Sequence, residues 1–198
     1  METDYSFRSD NLKLDALVEH NSTGKGIVIT HPHPLYGGNM YNPVVEMIRN
    51  VYLEKGYTTL RFNFRGTGKS QGKYDDGQGE QTDVYAAVDA LRADGLETID
   101  IAGYSFGAWV NARAVTSDLD VRQMVMVSPP VAMIDFSDVG FLSPLDLVIT
   151  GGRDDIAPPA QIKKMLSRWN PSSRFKMIES ADHFYGGFLT DLGTALAD

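Results

Sequence analysis

Short apolar, β-rich runs alternate along this chain with segments whose apolar residues recur at helical spacing. That alternation restricts the fold more than any other feature. The candidate strands are Asp4–Phe7, Leu12–Glu19, Gly26–Thr30, Thr58–Phe64, Thr98–Gly103, Val121–Ser128, Asp146–Thr150 and Phe175–Glu179, with a turn signal, Ser9-Asp10-Asn11, between the first two. Between later strands, Asn42 can cap a helix that starts at Pro43 and runs to about Glu54. Val84, Ala87, Val88 and Leu91 form an i, i+3, i+4, i+7 stripe, as do Ile162, Met165, Leu166 and Trp169. Phe188, Leu189, Leu192 and Leu196 close the chain the same way. Strands separated by helices pair through crossovers, which gives a mostly parallel sheet covered on both faces. The expectation is one three-layer α/β domain over residues 1–198, with about eight strands and an N-terminal antiparallel hairpin.

A chain of 198 residues can bury a sizeable core. Its net charge of −8 argues against nucleic acid or an anionic membrane surface as the main partner. The absence of cysteine excludes disulfides, thiolate–metal sites and a cysteine nucleophile. A polar, mixed-charge opening (Met1 to Asp10) and the lack of any run of membrane-spanning length point to a cytoplasmic protein, one with a small-molecule substrate.

Gly103-Tyr104-Ser105-Phe106-Gly107 follows one candidate strand and precedes a run with helical apolar spacing (Trp109, Val110, Ala112, Val115). G-x-S-x-G in a strand–turn–helix setting describes a nucleophile elbow, a sharp turn that holds a serine hydroxyl above a sheet. The pentapeptide also arises by chance in many chains, so its partners decide the matter. A neutral hydroxyl needs a general base. Of the four histidines (His20, His31, His33, His183), His183 lies just after the last strand, where a parallel sheet gathers its site residues. A base in turn needs a carboxylate to fix its tautomer, and Asp154 follows the strand Asp146–Thr150. The chain order is therefore Ser, Asp, His.

With these residues in place the chain resembles the α/β-hydrolases over essentially its whole length. Leu60-Arg61-Phe62-Asn63-Phe64-Arg65-Gly66-Thr67-Gly68-Lys69-Ser70 is similar to that superfamily's strand followed by D-x-R-G-x-G-x-S, with Asn63 where Asp is usual. The loop His31-Pro32-His33-Pro34-Leu35-Tyr36-Gly37-Gly38-Asn39-Met40 resembles a bacterial subfamily of small, dienelactone-hydrolase-like predicted hydrolases. The resemblance implies a serine hydrolase with the triad Ser105, His183 and Asp154, needing neither cofactor nor metal. Asp155 is the rival acid. Asp154 fits better because Ile156 and Pro158 then reproduce the superfamily's D-x-I-x-P wording. Asp182 reads as structural, and Asp135 and Asp138 are outsiders on the preceding loop.

An acyl-transfer site also needs an oxyanion hole. One donor is the backbone N–H of Phe106, the residue after the serine. The other should come from the loop after Gly26–Thr30. Pro32 and Pro34 have no N–H, so the candidates are His33, Leu35 and Tyr36. Matching His31-Pro32 to the superfamily's usual His-Gly favours His33, while the longer loop keeps Leu35 in play.

Two other motifs compete. His31-Pro32-His33 imitates the His-x-His start of metal-dependent amidohydrolases, but the remaining ligands and a barrel of about 250 residues are missing. Gly66-Thr67-Gly68-Lys69-Ser70 imitates the end of a P-loop, yet Asn63 stands where the Walker glycine belongs and glycines follow where a helix should start. Only about seventeen residues separate Ser128 from Asp146, where many relatives insert a helical cap. The expected chemistry is hydrolysis of a small or exposed ester or thioester through an acyl-enzyme. An amide or peptide hydrolase with the same triad, or a non-catalytic binding protein on this fold, is the alternative.

Overall fold

In the computed structural model, which describes all 198 residues, the strongest β-former stretch, Gly-Ile-Val-Ile-Thr at positions 26–30, lies buried inside one eight-stranded sheet. The elements in chain order are β1 (Thr3–Ser9), β2 (Leu12–Glu19), β3 (Lys25–Thr30), a 3₁₀ turn (Pro34–Tyr36), α1 (Pro43–Glu54), β4 (Thr58–Phe62), α2 (Gln78–Ala93) and β5 (Thr98–Tyr104). They continue with α3 (Phe106–Thr116), β6 (Met124–Val127), β7 (Leu145–Gly151), α4 (Pro159–Trp169), β8 (Arg174–Ile178) and α5 (Leu189–Ala197). The sheet order is β1-β2-β4-β3-β5-β6-β7-β8. β1–β2 and β2–β4 pair antiparallel and all other pairs are parallel.

Side chains alternate across the sheet with the strand period. Val28 joins the core that packs against α2, α3 and α4, whereas Ile27 and Ile29 join the core that packs against α1 and α5. This is the three-layer α/β-hydrolase fold, with the N-terminal hairpin at one edge. The stripe Val84, Ala87, Val88 and Leu91 is fully buried under α2. On α4 only Ile162 and Trp169 are buried, because this helix covers the sheet near its outer edge. No helix is long and apolar enough to cross a membrane.

Two strands end earlier than their apolar runs suggest. β4 stops at Phe62 because the next N–H groups leave the ladder: Phe64 N–H donates to His31 Nε2 and Arg65 N–H to the Asp83 carboxylate. β6 covers Met124–Val127 and not Val121–Ser128. Arg122 is held sideways by an ion pair with Asp100, and Ser128 turns away at a φ of 46°. Between β6 and β7 the chain makes turns only, so no lid covers the carboxyl edge of the sheet.

Candidate active site

Ser105 sits between the end of β5 and the start of α3 with φ 54° and ψ −119°, a left-handed backbone that a serine adopts only when its surroundings impose it. Its N–H donates to Val127 O at 2.9 Å, tying the turn to the neighbouring strand. The two glycines are required by close approach. A Cβ at Gly103 would stand 2.5 Å from Ala108 N, and one at Gly107 would stand 2.7 Å from the Thr30 backbone. The turn therefore projects the hydroxyl above the middle of the sheet.

β7 and β8 are the next strands but one and two from β5, and the loops after them deliver the other groups. His183 Nε2 lies 2.9 Å from Ser105 Oγ. His183 Nδ1 lies 2.9 and 3.0 Å from the two Asp154 oxygens. A carboxylate only accepts, so Nδ1 carries the proton and Nε2 is left to accept from the serine. All three side chains are buried.

Asp154 is held as firmly as it holds His183. Its Oδ1 accepts from Ile156 N–H at 3.0 Å and Ala157 N–H at 2.7 Å, which gives a physical reason for the D-x-I wording. Burial alone would raise its carboxyl. The hydrogen bond and charge of His183, with the Ala157 N–H and the Ser128 hydroxyl, outweigh that and hold it below the usual carboxylate range. Tyr104, next to the serine in sequence, donates its hydroxyl to His183 O at 2.8 Å and so fixes the histidine's backbone.

The rival acids lie elsewhere. Asp155 is exposed. Asp182 accepts from Phe184 N–H and caps that turn. Asp135 accepts from both the N–H and the hydroxyl of Ser137, and Asp138 pairs with Arg113.

The loop after β3 divides its residues between two tasks. Fully buried His31 donates from Nδ1 to Pro32 O and accepts from Phe64 N–H at Nε2, so both ring nitrogens are engaged. Burial pushes it down to about 4, which keeps it a neutral strut between this loop and β4. His33 Nδ1 accepts from Leu35 N–H at 3.3 Å, and Tyr36 N–H donates to His33 O. Leu35 therefore has no free N–H, and its side chain lines an adjoining groove instead of the serine cavity. Of the three candidate donors in this loop, only the N–H of His33 has no partner within the protein, and His33 lines the same cavity as Ser105 and Phe106.

That cavity has a volume of about 580 Å³. Besides the residues named above, Pro130, Met133, Ile134, Ile156 and Phe184 line it, and no Asp, Glu, Lys or Arg does. The P-loop look-alike has a structural explanation. Arg65 makes a buried, bidentate pair with Asp83, and its guanidinium occupies the space a Cβ would need at Gly79. Asn63, in the usual Asp position, accepts from Met40 N–H and donates to Asp15.

Sequence reasoning missed Ser128 and Tyr185. Their hydroxyls meet at 2.8 Å in the buried wall behind Asp154, and both residues have positive φ (46° and 56°). Neither belongs to a motif, so no signal in the chain marks them.

Residues 2–147 match the model of the X-Pro dipeptidyl-peptidase (S15) family, a span that includes Ser105 and ends before Asp154 and His183. An uncharacterised protein of Rickettsia prowazekii is 37% identical over 181 residues, covering 86% of this chain and 76% of that protein. An α/β serine hydrolase homologue from Coxiella burnetii superposes with a TM-score of 0.91 at 32% identity, covering 98% of this chain and 95% of the other. A lidless α/β serine hydrolase from Xanthomonas campestris gives 0.90 at 32% identity, covering 98% and 91%.

Proposed function

The chain belongs to the X-Pro dipeptidyl-peptidase (S15) family, and from that premise we propose a serine hydrolase that cleaves a small or exposed ester or thioester through an acyl-enzyme. The observation that carries the reading is the unbroken relay from Ser105 Oγ through His183 to Asp154. Ser105 attacks the carbonyl carbon while His183 Nε2 takes its proton. The backbone N–H groups of Phe106 and His33 receive the oxyanion. One such donor contributes about 3–4 kcal/mol of transition-state stabilisation. His183 then passes the proton to the leaving oxygen or sulfur, and next takes one from the water that attacks the acyl-enzyme. Asp154 stays ionised, holding the tautomer and stabilising the imidazolium.

The family description favours a second reading, cleavage of a peptide after an N-terminal dipeptide. Such a substrate brings an α-ammonium to the mouth of the site, where a facing carboxylate is the group that would select it over a neutral ester. The cavity offers it no carboxylate. This supports the ester or thioester reading over the peptidase one.

A fluorophosphonate probe tests the chemistry. Wild-type protein should be labelled and Ser105→Ala should not; a folded wild type that resists labelling would leave only a binding role. Rates on p-nitrophenyl esters, acyl thioesters and X-Pro amides then rank the substrates. Faster turnover of the amides would reverse the preference stated here.

A further inference from the structure

Eight large apolar side chains stand exposed on this chain, and three of them, Tyr36, Met133 and Phe184, line the cavity above Ser105. Single exposed apolar residues are ordinary on a protein surface; a convergent group at a cavity mouth is not. These three come from separate loops, after β3, β6 and β8, so no common stretch of sequence explains their meeting. Their exposures are 78%, 60% and 70%, which leaves most of their surface free for a ligand to cover. Two of the rings are held by the site itself. Phe184 stands edge-on to the His183 imidazole at 5.6 Å, and Tyr36 packs on His33 at 4.8 Å. The lining between them is uncharged in a chain with 26 acidic and 18 basic residues.

We infer that Tyr36, Met133 and Phe184 form an open subsite for the uncharged apolar chain of a medium-sized ester or thioester. The inference rests on the serine-hydrolase reading and specifies its substrate class. The subsite grips the chain from the protein side and leaves its other side in water. Full burial of a methylene multiplies binding about fourfold, so one-sided cover gives about twofold per methylene. The gain stops where the chain passes the rim, which separates this subsite from a closed tunnel for long acyl chains.

The test compares kcat/KM over acetyl, butyryl, hexanoyl, octanoyl and dodecanoyl esters of one alcohol, and over acetates of the matching alcohols. A rise of about twofold per methylene to a plateau in one of the two series supports the inference and tells which side of the ester the rim holds. Phe184→Ser and Met133→Ser should flatten that rise, while Phe141→Ser, exposed but outside the serine cavity, should retain the wild-type slope. A flat wild-type profile overturns the inference, as does a slope that the rim variants leave intact or that Phe141→Ser also flattens. A continued rise to the dodecanoyl ester overturns it in favour of a tunnel. Alkyl fluorophosphonates of the same chain lengths, read as inactivation rates, separate this result from the fate of the ester reading. If Ser105 is labelled but no ester is turned over, the ester reading fails, and the rim still stands or falls on the chain-length dependence of labelling.

Discussion

The hydroxyls of Tyr185 and Ser128 meet at 2.8 Å in the buried wall beside Asp154. The acid of the relay is held by backbone N–H groups on one oxygen, and this pair of hydroxyls, brought from other loops, stands beside it. Ser128→Ala should lower kcat/KM about five- to tenfold, the equivalent of one hydrogen bond of about 1 kcal/mol or slightly more. Tyr185→Phe leaves the Ser128 hydroxyl in place and should lose about two- to threefold. Steady-state kinetics on a short ester measures both, and equal losses in the two variants would mean the hydroxyls do not act in series.

Asp154 and Asp155 are neighbours with opposite surroundings, one buried on His183 and one exposed. Asp154→Asn keeps the shape but offers Nδ1 a donor where it needs an acceptor. The fluorophosphonate labelling rate should fall by about three to four orders of magnitude. Asp155→Asn should stay within about twofold of wild type. A large loss in the second variant would reassign the acid.

His31 makes stability depend on pH. In the folded chain it stays neutral down to about 4, because burial opposes its charge, whereas an unfolded histidine takes its proton near 6.5. Between those values the unfolded state binds the extra proton, so this contribution is complete above 6.5 and lost as pH falls toward 4, on the order of 3 kcal/mol in all. His31→Gln can still accept from Phe64 N–H but cannot titrate. Urea unfolding of both proteins from about pH 7 to about pH 4.5 should show their difference in stability shrinking as pH falls. A gap that stays constant with pH would count against the neutral strut.

The Arg65–Asp83 pair is buried and shares three hydrogen bonds through the guanidinium, with a fourth from Arg65 N–H. Asp83→Ala removes the buried partner and leaves that guanidinium only the exposed Asp10 carboxylate at 3.8 Å, which should destabilise the fold by about 3 kcal/mol. Denaturant titration reads this directly, and a loss under about 1 kcal/mol would mean the arginine finds water instead.

The elbow was legible because steric necessity writes itself into residue types: only glycine fits at 103 and 107. The order Ser, Asp, His was legible because parallel strands deliver all their following loops to one edge. The choice between His33 and Leu35 was not, since it depends on a side chain bonding two residues along, His33 Nδ1 to Leu35 N–H, which no spacing rule encodes. Ser128 and Tyr185 were hidden for a related reason. Their contact spans 57 residues and joins two common residue types, so only the folded sheet brings it into being. The strand end at Phe62 is not legible because the apolar run continues past the point where side chains take the backbone N–H groups, and β6 is shorter than its run because Ser128 turns away at a positive φ.

The turns between β6 and β7 leave Ser105 beneath an open mouth and not a moving lid. No segment between β6 and β7 has to move aside for a reactant to reach the serine. Bulk water stands at the mouth throughout, and an acyl group carried on Ser105 would meet a hydroxyl of the solvent far more often than any other acceptor. On the acyl-enzyme reading proposed above, the open mouth favours water over any other acceptor of the acyl group.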